Sequence, residues 1–216
     1  MKLYANIFEP AGRRIDLYLK LLNEPYQLME QAEIEGSGSA AVDIKSLRQA
    51  SVVLETPDGE HIFEAMAILN YLDEKFGQPL TKKQQQRASV LSALAEDFFR
   101  YLQLSLLHTS PYNARRLTQC QAVDLISQVF WRARLEQIAE IMDTSRFLVA
   151  DHWTMTDANL FAQLECATTC FGFLIPPHLK ALYDWRDRFS ALPGVKPLCL
   201  PEDYFEAMVS KFGNWY

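Results

Sequence analysis

Glu9 stands immediately before Pro10, where an amphipathic run begins, so its carboxylate lies at a helix start. The helix dipole favours an anion at such a position by about 0.3–1 kcal/mol. The plainest reading is an exposed acid at a helix start. The residue type leaves open a partner- or substrate-facing role and general acid/base work. Other reactive side chains are scattered. Cys120, Cys166, Cys170 and Cys199 show neither CxxC nor Cys/His ligand spacing. Cys166 and Cys170, four apart, share a helix face and read, like the other two, as buried apolar thiols rather than a redox pair or metal site. His61, His108, His152 and His178 have no metal-ligand spacing, so no metal is expected. Thr154-Met155-Thr156-Asp157 has the form of a capping box. Its Thr hydroxyl would accept from the Asp157 amide while the Asp carboxylate reaches back to the Thr154 amide, a folding role. Phe98 and Phe99 sit at helical spacing and read as core. Arg115-Arg116 reads as a solvated helix start.

The elements that must hold these residues fall into two groups. Lys2–Ala5 reads as a strand, and Pro10 opens a helix carrying Ile15, Leu17, Leu19 and Leu22 toward Asn23. Pro25–Met29 is a second strand. Residues 31–50 are polar and poorly periodic, with weak helical character at 44–47 and a GSGS loop at 36–39. Ser51–Glu55 and His61–Phe63 form a hairpin across Thr56-Pro57-Asp58-Gly59, because Pro fixes φ and Gly supplies φ > 0. Glu64–Phe76 is a helix stopping at Gly77. After Pro79 only helices are expected, over 82–109, 117–142, 155–174, 178–191 and 202–212. The pattern is an α+β unit over 1–77 joined to an all-helical unit over 82–216.

Bulk properties narrow the function classes. The 216 residues are long enough for a proper core. No segment approaches the roughly 20 apolar residues of a membrane-spanning helix. The opening MKLYANIFEP reaches Asn6 and Glu9 without an apolar run, which argues against a secretory signal and makes a cytoplasmic location the expectation. A net charge of −6 disfavours nucleic acid as a partner.

Four stretches of this sequence resemble the glutathione-transferase family. Lys2-Leu3-Tyr4 followed by Glu9-Pro10-Ala11-Gly12-Arg13-Arg14-Ile15 is similar to its first strand, active-site loop and first helix. Ser51-Val52-Val53-Leu54, Asp58-Gly59, Glu64-Ala65-Met66-Ala67-Ile68 and Tyr71-Leu72 together resemble its V-P-x-L…D-G…E-S-x-A-I…Y-L signature. Thr154–Asp157 is similar to its capping box, and Leu182–Val195 to its late helix and Pro-x-V turn. The resemblance implies a thioredoxin-like N-terminal domain, an all-α C-terminal bundle, a glutathione site and a homodimer.

The same resemblance locates a site altered at three contacts. Against the family's Cys-Pro-Phe-x-x-Arg pattern, Pro10 and Arg14 fall in register and Glu9 takes the thiol-handling position. An ionised Glu only accepts hydrogen bonds. It repels a thiolate about 4 Å away by ~1 kcal/mol in water and ~4 kcal/mol at a surface-like dielectric. Asn6 and Tyr4 are the candidate substitute donors, Asn6 the better placed because Tyr4 is expected to point into the sheet. Val52 replaces the family's cis-proline, beside Val53. Ala65 replaces the Ser that holds the γ-glutamyl carboxylate, although its helix N-terminus still offers amides to an anion. Glu64 is retained. Phe8, Tyr101 and Tyr112 would line the second-substrate cleft. Three functions follow: a divergent transferase acting on a small electrophile through a weakened glutathione site; a non-catalytic, protein-binding module resembling stringent starvation protein A; or a glutathione-independent enzyme with Glu9 as acid or base.

Overall fold

The structure, a computed structural model, describes residues 1–29, 51–109, 121–142, 145–171 and 173–198. Strand β1 (Lys2–Ala5), helix α1 (Pro10–Leu22) and strand β2 (Gln27–Met29) come first. Strands β3 (Val52–Glu55) and β4 (His61–Phe63) follow, then α2 (Ala65–Phe76), α3 (Lys82–Thr109), α4 (Gln121–Ile141), α5 (Met155–Phe171) and α6 (Lys180–Ser190). The sheet runs β2-β1-β3-β4, with β1 parallel to β2 and antiparallel to β3, and β3 antiparallel to β4. A β-α-β unit followed by a β-hairpin and a helix is the thioredoxin-like arrangement, and helices supply the rest.

Local chemistry explains the boundaries. Pro10 occupies the first turn of α1, where its missing N–H is no loss, and Asn23 closes the helix in the left-handed region at φ 56°. In the hairpin, Gly59 takes φ 82° and its amide donates to the Thr56 carbonyl at 3.0 Å. The Thr56 hydroxyl accepts the Glu60 amide at 3.1 Å.

Some boundaries differ from the sequence expectation. Strand β2 starts at Gln27, α2 at Ala65, and α5 and α6 are shorter than the periodicity suggests. Gly77 is not a left-handed cap; its φ is −70°. Glycine suits that position because a Cβ would run into the carbonyl and carboxylate of Asp73. The expected segments at 44–47, 117–120 and 202–212 lie outside the described residues.

One apolar core runs through both halves. It joins Leu3, Val52 and Leu54 of the sheet to Ile15 and Leu19 of α1, to Ile68 and Leu72 of α2, and to Phe98, Leu164, Trp185 and Phe189 beyond. Tyr4 and Val53 face the other side of the sheet, with Met29 and Phe63. Helix α1 is sandwiched: every residue from Gly12 to Leu19 is buried, Arg13, Arg14 and Asp16 included. An apolar stripe alone would leave those three in water. They are buried because α1 packs against α2 and α5 as well as the sheet.

Candidate functional site

The strand register gathers the site. Ala5 pairs with Val52, and Val53 with Phe63. The end of β1, the start of β3 and the end of β4 therefore share one edge of the sheet. Onto that edge open the 6–9 loop and the step from Glu64 into α2. Asn6, Phe8, Glu9, Val52, Glu64 and Ala65 thus come to one end of the sheet. Val53 turns to the opposite face, behind it.

The 6–9 loop is a tight turn built around Asn6. The Asn6 side-chain oxygen accepts the Phe8 amide at 3.0 Å, and its carbonyl accepts the Glu9 amide at 3.1 Å. Its Nδ2 donates to Glu9 Oε1 at 3.3 Å. Gly12 lets the helix approach this turn, since a Cβ there would collide with the Asn6 carbonyl. Glu9 is exposed and is the N-cap residue of α1, yet its carboxylate makes no capping bond. It turns back to the Asn6 side-chain amide instead.

Glu64 holds φ 68° and ψ 128°, a combination that residues with a side chain rarely adopt. Backbone strain of this kind gathers at ligand-holding turns. It aims the N-terminus of α2 at the sheet edge, with no side-chain cap on the first amides. Ala65 is buried and contributes only backbone there. An uncapped helix start of this sort attracts anions. No peptide bond among the described residues is cis, so the bond before Val52 is trans.

Beneath the loop, two buried arginines fasten α1 to the helical half. Arg13 donates to Glu165 at 2.7 and 3.2 Å and to Asp16 at 3.0 Å. Arg14 donates to Glu96 and, at 2.7 Å, to Asn159. Asp16 also accepts from Lys20 at 2.8 Å and from Tyr26. In the sequence Arg14 stands out only as a register mark, and neither arginine's role is visible there. The available signal was charge inside an apolar helix; Asp16 is within helical spacing of Arg13, but the side-chain partners in the helical half are 82–152 residues away and no spacing rule reaches them.

The remaining expected residues are dispersed. Phe8 is half-buried against the core. Tyr101 stacks on Phe130 of α4, centroids 4.9 Å apart, and Tyr112 lies outside the described residues. Tyr4 donates to Glu55 at 2.8 Å, on the face away from the loop. Cys166 is buried, its sulfur 3.8 Å from the Phe8 carbonyl. The other three cysteine side chains lie outside the described residues. His178 stands 3.6 Å from Glu136 and His61 3.9 Å from Glu55. Among the described residues no group of three His, Cys, Asp or Glu could hold a metal. Clefts of about 390 and 370 Å³ lie elsewhere, beside the start of α3 and beside Trp131.

Asp157 reaches back to the Thr154 amide at 2.9 Å, as the capping box requires. The other half differs. The Thr154 hydroxyl donates to the same carboxylate at 2.8 Å, because that acid is buried and needs donors. The second oxygen accepts from the Leu148 amide at 3.0 Å and Trp185 Nε1 at 2.8 Å. Burial pushes this carboxyl above its ordinary range, opposed by those bonds.

Solved structures place this architecture. A glutathione S-transferase domain-containing protein of Marinobacter aquaeolei superposes with a TM-score of 0.67 at 22% identity, over 91% of this chain and all of that one. The chain has the glutathione S-transferase fold. A glutathione S-transferase of Methylobacterium radiotolerans, solved in complex with glutathione sulfonate, shares that fold with a TM-score of 0.70 and 19% identity, over 90% of this chain and 92% of that one. In sequence, glutathione S-transferase U6 of Arabidopsis thaliana is 30% identical over 92 residues, 41% of this chain. The match spans 40% of that relative's length and supports a place in the glutathione S-transferase superfamily. No family profile matches the chain. In glutathione S-transferase terms, the sheet edge bearing Asn6, Glu9 and Glu64 is where the resemblance sets the glutathione site.

Proposed function

We propose that this protein binds glutathione weakly at the sheet edge and transfers it to a small electrophile, with thiol activation that does not use the family's usual Ser, Tyr or Cys. The observation that carries this reading is the uncapped start of α2, aimed at the edge by the strained Glu64 backbone. A carboxylate of the ligand would sit on the Ala65 helix start, and the peptide backbone would lie along Val52. Asn6 is the donor for the thiolate, once the Glu9 carboxylate has swung off its amide. Glu9 repels the thiolate and keeps the thiol protonated, so turnover rises with pH as the thiol ionises. A cytoplasmic location and a homodimer complete the reading. Support for the dimer is a row of exposed apolar residues on α4, Leu125, Ile126, Val129 and Phe130, with Val90 and Leu104 on α3.

The test is thermal unfolding with 10 mM glutathione, about the concentration at which a millimolar site fills and raises the melting temperature by linkage. An unmoved transition sinks the reading. Replacing Glu9 with Ser should tighten glutathione binding and raise conjugation of a generic electrophile about tenfold or more. A non-catalytic reading draws on one specific observation: the Asn6 side chain is already engaged at both its oxygen and its nitrogen. On that reading Glu9→Ser binds glutathione yet stays inactive.

A further inference from the structure

Behind the 6–9 loop, Arg14, Glu96, Asn159 and Gln163 form one buried polar cluster between α1, α3 and α5. Gln163 Nε2 donates to Glu96 Oε1 at 2.9 Å and to Asn159 Oδ1 at 3.3 Å, and Arg14 donates to both of those oxygens. Three polar atoms of the cluster have no protein partner among the described residues: Arg14 Nε, Asn159 Nδ2 and Gln163 Oε1. All three side chains are more than nine-tenths buried. Turning the amides over does not help. A reversed Asn159 would set its NH2 against the Arg14 guanidinium, and a reversed Gln163 would set its oxygen against the Glu96 carboxylate. The unmatched set is therefore two donors and one acceptor, in groups too costly to bury unpaired.

We infer that ordered water is built into this cluster, accepting from Arg14 Nε and from Asn159 Nδ2 and donating to Gln163 Oε1. A buried water typically makes about three such bonds. Asn159, Gln163 and Cys166 recur at i, i+4 and i+7, so they share one face of α5. The third of them touches the Phe8 carbonyl. The same face thus holds α1 through the water and the loop through Cys166. Asn159 and Gln163 are positioning residues: they fix where the helix start, and with it Asn6 and Glu9, stands. Only the consequence for ligand binding rests on the glutathione-site reading.

A high-resolution crystal structure of the intact protein should show ordered water within about 3.2 Å of each of Asn159 Nδ2, Gln163 Oε1 and Arg14 Nε. Direct pairing of these atoms, or a dry gap, overturns the inference. Gln163→Met keeps the volume and removes the acceptor, together with the Nε2 donor to Glu96 and Asn159. It should lose the water and speed hydrogen exchange of the loop amides of Phe8, Glu9 and Arg13 about tenfold, while amides in α6 exchange as before. Equal acceleration everywhere, or none at the loop, overturns the positioning role. Glutathione affinity should fall about threefold or more in the variant, on the same thermodynamic scale. If wild type does not bind glutathione, the functional reading fails, and the water and the exchange pattern still decide this inference.

Discussion

At the scale of single residues, the site and the fold both turn on carboxylates. Asp157 is fully buried and accepts from Thr154, Leu148 and Trp185. Asp157→Ala leaves an indole N–H and two amides without an acceptor and should cost about 3–5 kcal/mol in chemical denaturation. The Thr154–Asp157 pairing was legible in the sequence, because the box is a local spacing. Its extension to Trp185, 28 residues on, was not. Glu9 was legible as an acid at a helix start. That it folds back onto Asn6 was not, since a three-residue return depends on the turn and not on the helical period.

At the scale of elements, the step into α2 and the β1–β3 pair each carry a measurable consequence. Glu64 is held where only glycine is at ease, so Glu64→Gly should stabilise the protein by about 1 kcal/mol, read from the denaturation midpoint. Lys2, Tyr4 and Glu55 lock β1 to β3 through bonds of 3.0 and 2.8 Å to the Glu55 carboxylate. Burial raises the Glu55 carboxyl, but the bonds from Lys2 and Tyr4 outweigh it and hold the group below its ordinary value. The folded state therefore favours the ionised form. Its contribution is full above the unfolded value and fades as pH falls through the lower folded value. Acid unfolding between about pH 5 and 3 should be shallower in Glu55→Gln than in wild type.

At the scale of the whole molecule, the succession of strands and helices along the chain, the hairpin and the helical second half could be read from Pro, Gly and apolar periodicity. Tertiary context decided the rest. On an apolar stripe alone Arg13, Arg14 and Asp16 would be a solvated face, and the packing of α2, α5 and the sheet around α1 buries them. The apolar row on α4 was invisible too, because exposure depends on what its neighbours leave uncovered. If that row joins two copies, Val129→Glu should halve the mass seen by light scattering without lowering conjugation in each chain.

The sandwiching of α1 sets how the chain unfolds. A first helix buried on all sides, with its arginines neutralised by Glu165 and Glu96, has no stable existence apart from the helical half. Residues 1–77 expressed alone would expose to water the side of α1 that the helical half covers, losing that burial, and should remain unfolded. Heating the intact protein should give one calorimetric peak whose calorimetric and van't Hoff enthalpies agree, not two independent transitions. Cooperativity in this molecule is thus a property of a single helix, which neither half can keep without the other.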